Sequence, residues 1–141
     1  MTKIFQPFSQ IRVLNVTGHE IAIHTVRTSI SGCTITGNET GIMTGNFGGM
    51  EITDNLITEN IVGLALVYQS GVSGHSTVTM NDIYGNTLYE VMIVGSENRT
   101  APNNWWGSFD QAQIGEKIYD GIDSAGRGIL DYTPLLADST R

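Results

Sequence analysis

Carboxylates recur near the turns of a repeated stretch of this chain: Glu39, Asp54, Glu59, Asp82 and Glu90. Two carboxylates roughly 5 to 10 Å apart across a glycosidic bond can serve as acid and base in its hydrolysis. Asp54, Glu59 and Asp82 are therefore the catalytic candidates. Any protein built of stacked coils also exposes acids at its turns, and solvated turn residues are the preferred reading. A second set is aromatic. Tyr68, Tyr84, Tyr89 and Trp105 are the ligand-binding candidates, because flat rings suit the apolar faces of pyranose sugars, and the three tyrosines fall at outward or loop positions. Trp105 and Trp106 are adjacent, and neighbours on a strand face opposite sides. At least one must point inward, so the pair reads chiefly as packing for the end of the fold.

Metal-binding chemistry is thinly represented. Asp120 and Asp123 share a Gly-rich loop with Asp131 nearby, and they are weak candidates for a surface Ca²⁺, although the spacing is not that of an EF-hand. His19 and His24 are five apart, which on a strand puts them on opposite faces. Met43, Met50, Met80 and Met92 read as core filler. Cys33 is the single cysteine, which excludes an internal disulfide; a buried small residue is expected there. The expectation is no cofactor beyond, at most, a structural Ca²⁺.

These residues are positioned by a pattern written three times between Ser29 and Glu90. Ile30, Cys33, Ile35 and Asn38 are followed by Ile52, Asn55, Ile57 and Asn60, then by Val78, Asn81, Ile83 and Asn86, always at offsets of three, two and three. The copies begin 22 and 26 residues apart, a solenoid-like spacing. Ile35, Ile57 and Ile83 are expected to stack inward, each burial contributing roughly 1.5–3 kcal/mol. The asparagines are expected to take the left-handed turn conformation and to bond to identical amides one coil above and below. Phe8, Ile11 and Val13 repeat the spacing weakly.

Composition agrees. The chain has 141 residues, 17 of them glycine, with 40% hydrophobic content and no long amphipathic helix pattern; short strands and frequent turns follow. A net charge of -7 repels nucleic acid and anionic lipid. It also disfavours polyuronate chains unless a cation bridges them. No apolar run approaches the roughly 20 residues of a membrane helix, and the start at Met1 lacks the apolar core of a signal peptide. A piece of a longer precursor is expected.

The repeats resemble those of the right-handed parallel β-helix proteins related to pectate lyase. The block Asn103-Asn104-Trp105-Trp106-Gly107, with Asp110, Ile114, Ile118, Asp120, Asp123 and the run Gly128 to Leu136, resembles the closing segment of bacterial β-helix repeat proteins. The resemblance covers roughly residue 28 to the end. It implies an all-β, right-handed parallel β-helix of about four to five coils with a short C-terminal helix and cap. Asn104 falls at the position of Asn81 and Trp106 at that of Ile83. Ser108 is the expected N-cap of a helix over Asp110–Tyr119. A lyase of that superfamily needs clustered acids for Ca²⁺ and a basic residue on the strands, yet no lysine or arginine lies between Thr28 and Asn98. The superfamily also includes a periplasmic copper-site maturation protein, whose Met and His clusters are not evident here.

The reading is one domain, 1–141, with a degenerate first coil (1–27), repeats (28–102) and a cap (103–141). Its expected role is a non-catalytic module of a secreted or periplasmic bacterial protein, a scaffold or a binder of polysaccharide; the alternative is a polysaccharide-active enzyme using turn carboxylates. Phe5 and Phe8 would leave the N-terminal end sticky, so homo-oligomers through that end are expected.

Overall fold

A computed structural model of the chain describes residues 10–12, 15–25, 29–44, 50–67 and 76–141. Phe5, Phe8, Tyr68 and His75 lie outside them. The strands in chain order are β1 (Gln10–Arg12), β2 (Asn15–Val16), β3 (Ile21–Thr25), β4 (Ser29–Ser31), β5 (Thr34–Ile35), β6 (Thr40–Thr44), β7 (Glu51–Thr53) and β8 (Leu56–Ile57). They continue with β9 (Val62–Val67), β10 (Thr77–Thr79), β11 (Asp82–Ile83), β12 (Tyr89–Val94) and β13 (Arg99–Thr100). Helix α1 (Gln111–Glu116), β14 (Ile118–Tyr119) and β15 (Leu130–Asp131) follow.

Among the described residues every strand pairing is parallel; those of three sheets stack successive coils, and β13 pairs with β15 of the cap in a separate two-stranded sheet. One sheet has the order β1-β4-β7-β10, a second β11-β8-β5-β2, a third β14-β12-β9-β6-β3. The chain is a parallel β-solenoid. Its registers match the repeat: Ile11 pairs with Ile30, Ile30 with Ile52 and Ile52 with Val78, while Val16, Ile35, Ile57 and Ile83 form the next row. Ile30, Ile35, Ile52, Ile57 and Ile83 are fully buried, as expected of rows pointing into one core.

The asparagines join the coils. In one ladder the Asn38 Nδ2 donates to Asn60 Oδ1 (3.0 Å), and Asn60 Nδ2 donates to Asn86 Oδ1 (3.0 Å). In the other, Asn55 donates to Asn81 and Asn81 to Asn104, each at 3.0 Å. Each acceptor oxygen also takes the backbone N–H of the asparagine before it, and each amide also donates to a carbonyl of the preceding coil, such as Ile35 O for Asn60 (3.0 Å). A buried amide is tolerable only when so bonded.

The left-handed conformation does not fall on these asparagines. It falls one residue earlier, on Gly37, Glu59 and Gly85 in one series and on Gly32, Asp54, Met80 and Asn103 in the other. The turn is made by a residue that bears the positive φ, and the next residue turns inward to bond. Where that residue is not glycine, the backbone is strained by about 1 kcal/mol.

The cap follows its expected outline with one shift. Asp110, not Ser108, is the N-cap, its side chain accepting from Ala112 N at 2.9 Å. The helix ends at Glu116, and Ile118 extends the third sheet as β14 rather than continuing the helix. Trp106 sits above Ile83 in the core, 4% exposed, as the register bridge between Asp82 and Trp105 requires.

Replacing Asn60 by Ala strands the donors and acceptors of three coils, so a loss of about 2–4 kcal/mol is expected in urea unfolding. Glu59→Gly, which relieves φ 58°, is expected to stabilise by up to about 1 kcal/mol in the same assay. Equal midpoints for the two variants would contradict the assignment of roles.

Candidate ligand-binding site

Where the last repeat meets the cap, a pocket of about 230 Å³ opens between Tyr84, Glu90, Trp106, Gly107, Gln113 and Lys117. Each wall has a local cause. Tyr84 follows the inward Ile83 on β11 and is 36% exposed. It lies against Gly107, where a side-chain carbon would stand 2.7 Å from Tyr84 Cβ. Helix α1 brings Gln113 and its buried Ile114. Trp106 meets Tyr132 edge-on, with centroids 6.0 Å apart.

Glu90 is in the pocket because of the ladder. The repeat places asparagines five apart, and five after Asn104 stands Phe109, so Asn86 has no further asparagine to donate to. Glu90 Oε1 accepts instead, from Asn86 Nδ2 (2.7 Å) and from Asn86 N (3.0 Å). Burial raises the carboxyl above its ordinary value, against the lowering effect of those bonds and of Lys117. Lys117 donates to the carbonyls of Asn86 and Thr87. Among the described residues, the buried Trp106 Nε1 has no hydrogen-bond partner.

The acids read from the sequence are dispersed. Asp82 is fully buried, gripped by Ser139 Oγ, Thr140 N (2.9 Å) and Thr140 Oγ1 (3.0 Å), with Arg141 at 3.5 Å. Arg141 also reaches the exposed Asp54, 4.0 Å away. Glu59 lies elsewhere, in a shallower groove of about 360 Å³ with His19, Glu20 and Glu39. Asp120 Oδ1 accepts from Ile122 N (3.0 Å) and Oδ2 from Leu130 N (2.9 Å), while Asp123 Oδ2 accepts from Asp120 N (3.1 Å). Both carboxylates brace their own loop.

The aromatic candidates are also divided. Tyr84 lines the pocket. Tyr89 packs on Tyr119 at 5.1 Å, with Arg127 over the Tyr119 ring at 4.8 Å. Trp105 pairs in register with Asp82 on the face opposite Trp106, and Tyr68 is not among the described residues. Gln113 and Lys117 carry no binding signal in the sequence, and Trp106 enters there only as half of a tryptophan pair weighed as a sugar-stacking platform and read chiefly as packing. Glu90 had a signal: the missing asparagine at 109 leaves a buried donor that needs an acceptor.

Over residues 9–125 the chain matches the model of the family described as periplasmic copper-binding protein (NosD). The chain belongs to that family. No curated protein and no solved structure gives a match. NosD membership agrees with a β-helix repeat protein and with the expected secreted or periplasmic location. It gives no support to kinship with pectate lyase in particular. It also corrects the expectation of no cofactor, because the NosD family is described as copper-binding.

The described residues do not assemble an evident site for that metal. Among the described residues no three or more His, Cys, Asp or Glu side chains gather as a metal site, and Cys33 is buried, its thiol directed at Ser31 O (3.4 Å). The methionines are less uniformly core filler than expected. Met50 is buried, but Met80 is 46% exposed, and Met43 and Met92 are half-buried on the outward face of the third sheet. Thioethers are soft ligands that select copper(I).

The raised Glu90 predicts a pH effect on stability. Between the ordinary value of 4.5 and its raised folded value, the folded chain holds a proton that the unfolded chain has released, so stability falls as pH rises through that window. Below it both states are protonated and the effect vanishes. Glu90→Gln keeps an acceptor oxygen without the charge. It is expected to equal the wild type near pH 4 and to exceed it in thermal midpoint at pH 7; a constant difference at both pH values would contradict this.

Proposed function

We propose that the chain is a non-catalytic module of a periplasmic protein, a rigid solenoid scaffold that binds the end of a carbohydrate in the pocket between the last repeat and the cap. The observation that carries the reading is the composition of that pocket: the part-exposed Tyr84 ring, with the buried Trp106 behind it, beside a buried carboxyl, a carboxamide and an ammonium. Sugars are held in this way, with an apolar ring face on an aromatic surface and hydroxyl groups on a few fixed polar partners. The dispersal of Asp54, Glu59 and Asp82 supports binding over hydrolysis, since Asp82 is enclosed and Glu59 belongs to another groove.

A second reading, copper binding, is supported by the family description.

Glycan-array binding with follow-up calorimetry tests the first. Tyr84→Ala is expected to weaken binding at least tenfold while leaving the chain folded, with a cooperative unfolding transition and a loss of no more than about 1 kcal/mol in unfolding free energy. Absence of binding to any glycan, or binding indifferent to Tyr84→Ala, would overturn the pocket assignment. Release of reducing sugar from a bound glycan would move the reading to the enzyme.

A further inference from the structure

Asp82 is where the second sheet departs from its own pattern. The positions that share its register are Thr34 on β5, Leu56 on β8 and, one coil further on, Trp105, so stacking does not call for a carboxylate there. Asp82 is nevertheless fully buried, and a buried carboxylate has to be met by donors or by positive charge. Three consecutive residues meet it. Ser139 Oγ donates to Oδ2, while Thr140 N (2.9 Å) and Thr140 Oγ1 (3.0 Å) donate to Oδ1. Arg141 Nη1 lies 3.5 Å from Oδ2. Its Nη2 crosses to the neighbouring coil, donating to Asp54 O at 3.0 Å and standing 4.0 Å from the Asp54 carboxylate.

The segment and the surface beneath it are held by different forces. Residues 137–141 carry no apolar side chain larger than a methyl group, and none of the five is buried. The Arg141 side chain remains 34% exposed. The platform is rigid by contrast: Asn81 and Ile83 on either side of Asp82 are fully buried, Asp82 N donates to Asn55 O (2.8 Å), and Asn81 is bonded into its ladder. Segments held by a few polar contacts open at lower cost than the packed core they lie on. Opening here would uncover a fixed carboxylate between Asp54 and Trp105.

From this geometry we propose that the surface formed by Asp54, Asp82 and Trp105 is a peptide-binding site, that residues 139–141 are its internal occupant, and that a partner segment of the same chemistry displaces them. The inference is independent of the carbohydrate pocket. The partner's chemistry is read from the occupant: two hydroxyl residues followed by an arginine, in an extended segment. The first hydroxyl serves one carboxylate oxygen of Asp82, and the second, with its own backbone N–H, serves the other. The guanidinium spans the two acids, which its planar fork of donors allows and the single point charge of a lysine does not. A chain of net charge -7 attracts such a basic segment. Because the internal occupant is tethered, it competes at an effective concentration in the millimolar range, so the site answers only to a partner that outbids it or when the internal contacts are weakened.

The whole chain is tested with an acetylated, amidated peptide of residues 137–141. NMR follows the Asp82 backbone amide and the Trp105 indole N–H. The double variant Thr140→Ala, Arg141→Ala removes contacts of residues that are not buried, so the fold is retained. Both signals are expected to move in this variant, to return toward their wild-type positions on adding the peptide with one peptide bound per chain, and to respond at least tenfold more weakly in the wild type. A control peptide with alanine in place of both hydroxyl residues and glutamine in place of arginine is expected not to bind. Three results would overturn the proposal: no binding to the double variant, equal binding of the control peptide, or equal binding to the wild type. Unmoved Asp82 and Trp105 signals in the double variant would also overturn it, since the segment would then not be what covers the site.

Discussion

The structure depends on buried asparagine amides that bond from coil to coil. A parallel solenoid has no hairpin to fix the register of one strand against the next, and a row of isoleucines tolerates small slips. An amide does not. Asn60 is fully buried, and its oxygen takes both the N–H and the Nδ2 of Asn38 while its own amide reaches Asn86 and the carbonyls of Ile35 and Thr58. Displacing one coil by a residue would leave several polar groups unpaired in a dry interior, at roughly 1–3 kcal/mol each. Hydrophobic burial drives the coils together; the amides decide how they align.

The candidate site is a consequence of how such a ladder ends. A ladder of donors needs a final acceptor, and a carboxylate accepts without having to donate. Glu90 ends one series and Asn104 the other, the latter by bonding to the carbonyls of Val78, Ala101 and Pro102. The carboxyl is thus brought to the boundary of the regular repeat, where the cap begins and Trp106 replaces an aliphatic residue. Irregularity and polar chemistry coincide there because both arise from the same break in the repeat.

Much of the fold was legible because periodicity is a local property that the sequence displays directly. The spacing of Ile35, Ile57 and Ile83 marked the core row, and Asn38, Asn60 and Asn86 marked the ladder. The turn was misplaced by one residue, since Asp54, Glu59 and Met80 do not advertise a positive φ as glycine does; comparison with Gly32, Gly37 and Gly85 at the same positions was the available signal. The burial of Asp82 was not legible. It depends on Ser139 to Arg141 folding back across 57 or more residues, and no repeat predicts such a contact.

The claim that the amide ladders hold the coils in register is tested most directly by hydrogen exchange at the side-chain amides themselves, followed by NMR. The Nδ2 protons of Asn55, Asn60 and Asn81 are expected to exchange slowly and together, with protection close to that of the surrounding strand amides, because they open only when the coils separate. Exchange of these protons at rates typical of exposed asparagine, while the strand amides remain protected, would contradict it.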